Sequence, residues 1–231
     1  MKKTTAILKS CVNLPVTILF YLSILFACIF LPQPNFNIIL GIPQNNVSGS
    51  IDYLLFGRWI VLMITPLFVN GVIMERAVII ETLSTVRFGD RMKYKKHLMS
   101  TCYFNTGIWV LMYFIFAVFS VHNMDILSFS IIILSSYLMW ATLGFVLFFL
   151  TGKKSWSGII LVLLIGGTYL LGEHFPILSK YMPSVWAMAC RSTACEGTGY
   201  AASYFIAMNL ISTVVSGVLF LRGEKYDNNM R

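Results

Sequence analysis

Cys190 and Cys195 are the nearest thing to a reactive pair in this chain. Four residues separate them in a polar segment, with Arg191 and Glu196 alongside. In an oxidising compartment two thiols so placed can close a small disulfide, and the alternative is two unpaired thiols. A redox centre would place them as C-x-x-C, which they are not. Cys11, Cys28 and Cys102 lie in or beside apolar runs and read as small core residues. His97, His122 and His174 all sit at the ends of apolar runs, where an imidazole is a polar anchor and not a buried base beside a serine. No H-E-x-x-H occurs, and no G-x-S-G surrounds Ser48, Ser157 or Ser216. Gly152-Lys153-Lys154-Ser155 resembles the end of a phosphate loop, but Leu147 stands where its first glycine belongs. The expectation is a chain that is not by itself an enzyme, with no catalytic residue, metal set or cofactor site of its own.

The elements that carry these residues are set by composition. Of 231 residues 58% are hydrophobic and only 11% charged, against roughly a quarter charged in soluble domains. Apolar runs of about 20 residues imply helices that cross a bilayer. A single all-α transmembrane domain over residues 1–231 is expected. Its six spans fall at about 14–31, 54–74, 103–121, 126–150, 157–171 and 200–221. Fifteen residues rise only about 22 Å, so the fifth span must extend at its ends or bend. Pro66 is placed to kink the second span. Residues 32–49 are rich in Asn and Pro and read as an external loop. Residues 1–12 read as a basic interfacial helix. Ser203, Ala207, Ser212 and Ser216 suit close helix contact on the sixth span.

Charge orients the chain. Fourteen Lys and Arg fall in segments assigned to one side, and only Arg58, Lys180 and Arg191 on the other. By the positive-inside rule both ends of the sequence are cytosolic, in a plasma-membrane protein. The +8 net charge follows from these loops and does not signal nucleic acid.

The long polar interruption is Glu75 to Leu98, ERAVIIETLSTVRFGDRMKYKKHL. Ile79, Ile80, Leu83 and Val86 recur at helical spacing, so its first half is amphipathic. Gly89-Asp90 breaks the pattern, and Asp90 is placed to cap a second helix leading into the third span. Lys93, Lys95 and Lys96 read as a phospholipid anchor. All nine Asp and Glu lie at span ends or in loops, which argues against a proton- or sodium-coupled carrier. Energy for transport would have to enter through this elbow. On the third span Tyr103, Phe104, Trp109, Met112, Tyr113 and Phe116 form a stripe. Helix packing is its ordinary reading, and Trp109, Met112, Tyr113 and Phe116 are candidates to line a path for apolar cargo.

The run Met74-Glu75-Arg76, then Glu81-Thr82-Leu83-Ser84-Thr85-Val86-Arg87, ending in Lys95-Lys96, resembles the segment after the second span of ABC type-2 permeases. The Glu-Arg exit, Leu83-Ser84-Thr85 and Arg87 match in order. Val86 stands where that family usually has proline. Phe175-Pro176 and Met182-Pro183-Ser184-Val185-Trp186 resemble the broken outer hairpin such permeases place between their last two spans.

The resemblance implies a cytosolic coupling helix at Val78 to Arg87. Ile79, Leu83 and Val86 would make its apolar contacts, and Glu81 and Arg87 its polar ones. It further implies two copies of a separate ABC ATPase subunit carrying ATP and Mg. A second permease chain, identical or homologous, completes the pore in the lipid bilayer. The cargo would be amphipathic or apolar, with an exported peptide such as a bacteriocin or toxin favoured over drug, heme or polysaccharide. A non-transporting immunity or scaffold protein is the alternative.

Overall fold

In the computed structural model the described residues are 13–31, 36–43, 52–79, 91–120, 125–151, 153–195 and 199–229. Seven α-helices are found among them: α1 (Leu14–Phe30), α2 (Tyr53–Ile79), α3 (Arg91–Ser120), α4 (Ile126–Thr151), α5 (Lys154–His174), α6 (Pro176–Ser179) and α7 (Ala202–Asn229). Single 3₁₀ turns occur at Phe36–Leu40, Val185–Ala187 and Ala189–Arg191. An isolated parallel bridge joins Ser192 and Tyr200. Five helices, α2, α3, α4, α5 and α7, are long and apolar enough to cross a membrane, as a multi-pass membrane protein requires. The 17-residue α1 is apolar but shorter, rising about 26 Å against a hydrocarbon thickness of ~30 Å.

Helix limits follow local chemistry. Asp52 Oδ1 accepts from the Leu54 and Leu55 amides at 3.0 Å each and caps α2. Asp125 does the same for α4 through the Leu127 amide at 3.1 Å. Pro15 stands in the first turn of α1, where its missing N–H costs nothing. At the other extreme Pro176 stops α5 after His174. The span expected at Ser157 to Leu171 is lengthened at both ends to 21 residues, which gives about 32 Å. The start of α3 at Arg91 is where a cap at Asp90 would put it, although Asp90 itself lies outside the described residues.

The bundle is organised around α4, which buries side chains in every direction, from Phe129 through Tyr137 and Trp140 to Phe148. An aromatic knot sits against it. Trp109 meets Tyr21 edge-on at 4.9 Å between ring centres, and Tyr113 and Tyr137 pack at 6.0 Å. Such pairs add about 0.5–1.5 kcal/mol each beyond the area they bury.

Pro66 lies inside α2 without ending it. A proline there cannot bond the carbonyl four residues back, which is that of Leu62. The Tyr137 hydroxyl donates to this Leu62 oxygen at 3.0 Å, so a neighbouring helix supplies the missing bond. Tyr137→Phe is therefore expected to cost about 1–3 kcal/mol in the native protein. The cost should be much less on a Pro66→Ala background, where the restored backbone amide can reach the Leu62 carbonyl. A double-mutant cycle of detergent-solubilised protein measures this; equal losses in both backgrounds would refute the exchange.

Two sequence expectations change. Residues 32–49 read as an external loop, but Ile38, Ile39, Leu40 and Ile42 are buried, and the Tyr113 hydroxyl donates to the Ile39 carbonyl at 2.7 Å. The apolar content of Phe36–Leu40 is enough to pull the segment back into the bundle. Gly41 follows with φ +105°, and a Cβ there would lie 2.8 Å from Met188 Cβ, so only glycine fits. On α7 the expected small-residue face divides: Ser212 and Ser216 are half-buried, but its first half is not packed. Ser203 and Ala207 are exposed, whereas Ala202, Phe205 and Asn209 turn inward against the bundle.

Candidate functional site

The base of the bundle, where α2 ends and α3 begins, is braced from two sides. The Tyr94 hydroxyl donates to the Ala77 carbonyl at 2.7 Å and locks the start of α3 to the last turns of α2. Lys95, one residue on, is 5% exposed. Its ammonium lies 4.6 Å from the ring centre of Phe149 on α4 and 5.8 Å from that of Phe220 on α7. A desolvated cation over aromatic faces is held by roughly 2 kcal/mol. Ile73, Met74, Leu98, Cys102, Phe145 and Phe148 form the small apolar cluster beneath. The ends of four helices thus converge on the two flanks of the elbow. Lys93 and Lys96 are exposed as a lipid anchor needs to be, but Lys95 is not: the rings of α4 and α7 draw it inward.

Above this base a row of amides crosses the bundle. Tyr21 Oη donates to Asn105 Oδ1 at 3.0 Å, Asn105 Nδ2 to Asn70 Oδ1 at 2.9 Å, and Asn70 Nδ2 to Thr106 Oγ1 at 3.0 Å. Thr106 in turn donates to the Cys102 carbonyl at 2.9 Å. The row joins α1, α2 and α3, and its members are 2% exposed or less. Asn209 makes a similar hook from α7, donating to Ser135 Oγ and the Trp186 carbonyl at 3.3 Å each. Sequence reasoning directed at ionisable groups in the spans misses Asn70, Asn105 and Asn209. Three amides inside apolar runs are the available signal, because a polar side chain there must find a partner on another helix.

Asn70 also borders a cleft of about 480 Å³ between α2, α4 and α5. Its wall is otherwise apolar, from Ile64 and Phe68 on α2 to Leu161 and Leu163 on α5, with Ser155 and Ser157 at the elbow end.

The opposite end is closed by the segment between α5 and α7. Arg191, 4% exposed, pairs through Nη2 with Glu173 at the end of α5. Its Nε donates to the Ile42 carbonyl at 2.7 Å, and the guanidinium lies 5.7 Å from the Tyr169 ring centre. One buried cation therefore joins three stretches of chain. The Asp125 amide bonds the Ala194 carbonyl at 2.9 Å, and the Ala202 amide uses Thr193 Oγ1 at 3.1 Å. A Cβ at Gly199 would lie 2.6 Å from the Arg191 carbonyl oxygen, so this crossing needs glycine.

Within this cap Cys190 and Cys195 are free thiols. Burial pushes Cys190 up to about 12 and Cys195 up to about 11, so both are protonated at neutral pH. Alkylation by iodoacetamide is expected to rise about tenfold per pH unit from about pH 8 to 10 instead of levelling off near the ordinary thiol value. A plateau by about pH 9 would contradict the burial, and labelling that appears only after reduction would show a disulfide.

The other expected site residues divide by position. Ile79 occupies the last residue of α2 and is 76% exposed. Glu81, Leu83, Val86 and Arg87 lie outside the described residues, as does the N-terminal basic stretch 1–12. Trp109 and Tyr113 are core side chains of the aromatic knot, and Met112 and Phe116 pack partly buried against it. Among the described residues no three His, Cys, Asp or Glu side chains come together to hold a metal ion. Comparison of the chain with protein-family models, curated proteins and solved structures finds no match.

Proposed function

We propose that this chain is the membrane subunit of an ATP-driven exporter of the ABC type-2 kind. In this reading the five long helices and the shorter α1 all cross the plasma membrane, both ends of the chain are cytosolic, and the outer segment between α5 and α7 is the broken hairpin. The coupling helix is Val78 to Arg87, seated on a separate ATPase. Two ATPase copies supply ATP and Mg, and a second permease chain, identical or homologous, completes the path. The cargo is amphipathic or apolar, an exported peptide before a drug, heme or polysaccharide.

The observation that carries the reading is the bracing of the elbow. An element that receives force must be tied to what it moves. Here Tyr94 ties the flank of the elbow to α2, and Lys95 ties it to α4 and α7. The exposure of Val78 and Ile79 on the emerging turn of α2 leaves apolar surface for a soluble partner. Closure of paired ATPases would then bias the bundle between two packings through differential binding.

Copurification with candidate ATPase subunits, with vanadate-sensitive ATP hydrolysis as the readout, tests this. Leu83→Asp and Glu81→Arg are each expected to abolish both complex formation and stimulated hydrolysis. If both variants keep complex and hydrolysis intact, the elbow does not couple to an ATPase.

A further inference from the structure

The cleft between α2, α4 and α5 has dimensions that match one leaflet of a bilayer. On α2 its wall runs from Ile64 to Met74, and on α5 from Ser155 to Leu163. At 1.5 Å per residue these stretches rise about 15 and 12 Å, half of a ~30 Å hydrocarbon core. Its volume of about 480 Å³ falls within the ~300–1,000 Å³ of ligand sites. The void arises because Gly71, Ala141, Gly144 and Gly158 put little or no side chain into it from three helices. It is graded along its length. The deep end is aliphatic and aromatic, while the elbow end carries Ser155 and Ser157 beside the exposed Lys153. Among the described residues no carboxylate lines it. Trp156, 57% exposed, stands next to this mouth, the place of an interfacial anchor.

We propose that this cleft holds one acyl chain of an anionic phospholipid from the leaflet on the elbow side. The chain lies along α2 and α5 toward Ile64, the ester oxygens reach Ser155 and Ser157, and the phosphate meets Lys153. This is a site, distinct from annular lipid, because it is walled on three sides and ends after one leaflet. It requires that the helices span a bilayer and does not depend on the transport reading.

The test uses purified full-length protein in mixed micelles with phosphatidylglycerol bearing a diazirine on its acyl chain. After photolysis, peptides are mapped by mass spectrometry. Crosslinks are expected on residues 64–74 and 155–163, with several-fold competition by unlabelled phosphatidylglycerol and weaker labelling by a phosphatidylcholine probe. Gly158→Leu should remove them. Gly158 lines the cleft and a Cβ there meets nothing within 4 Å, so a side chain can be introduced at its wall without a clash at the first carbon. Lys153→Gln should reduce the preference for the anionic head roughly fivefold.

Labelling spread evenly over exposed faces such as Leu111 and Phe119 of α3 or Val214 and Leu219 of α7 overturns the site. So does cleft labelling unaffected by Gly158→Leu. Equal labelling by phosphatidylcholine overturns the anionic headgroup. Competition in the native protein decides the matter if the leucine variant does not fold.

Discussion

Arg191→Met is expected to lower the unfolding free energy by about 3–5 kcal/mol, the cost of removing one partner of a buried ion pair. Most of that loss is not the attraction itself. It is the penalty on Glu173, whose carboxylate loses its counter-ion in a site only 14% exposed. The Ile42 carbonyl loses its donor in the same step, and Tyr169 loses the cation packed on its ring. Glu173→Leu should cost a comparable amount, because it leaves the Arg191 guanidinium, its side chain 2% exposed, buried without its counter-ion. Combining Arg191→Met with Glu173→Leu should recover part of the loss, since neither charge is then buried alone. Unfolding in graded SDS, followed by far-UV circular dichroism, measures the series. A double variant as unstable as the sum of the singles would mean that packing and not charge holds the cap.

Asn105→Leu comes second, with an expected loss of about 2–4 kcal/mol. The leucine is accommodated in shape, but it strands the Tyr21 hydroxyl on α1 and Asn70 Oδ1 on α2 at once. Each stranded group has no water to turn to, since all three side chains are 2% exposed or less. Removing the partners together with Tyr21→Phe and Asn70→Leu should cost less than the sum of three single changes, because an apolar set leaves little unpaired. The same SDS titration reads this. Strict additivity would show that the three side chains do not act as one network.

Long apolar runs locate the helices and nearly their limits, because burying a polar backbone in lipid leaves few alternatives to the α-helix. Asp52 and Asp125 mark helix starts through bonds seen in the structure, whereas the one cap read from the sequence is Asp90. What stays hidden is which face of each helix meets which partner. In an apolar helix every face is apolar, so Ser203 and Ala207 look like a contact surface while Phe205 and Asn209 make the contact. The buried role of Ile38 to Ile42 is hidden for a related reason: a short apolar stretch amid Asn and Pro carries no periodicity. Lys95 shows the limit most plainly. In sequence it is one of three lysines at the start of α3, and only the arrival of Phe149 and Phe220 from distant helices sets it apart.

The central place of α4 has a consequence for how the molecule is made. Its Ser135 and Phe145 are covered by Asn209 and Phe220 of α7, a helix that begins about seventy residues later in the chain. During synthesis the fourth helix must therefore wait in lipid with its eventual mating surface bare. A ribosome that stalls before α7 would leave a membrane protein displaying an uncovered serine and a bare aromatic ledge. Those are marks by which surveillance machinery could tell an unfinished chain from a finished one.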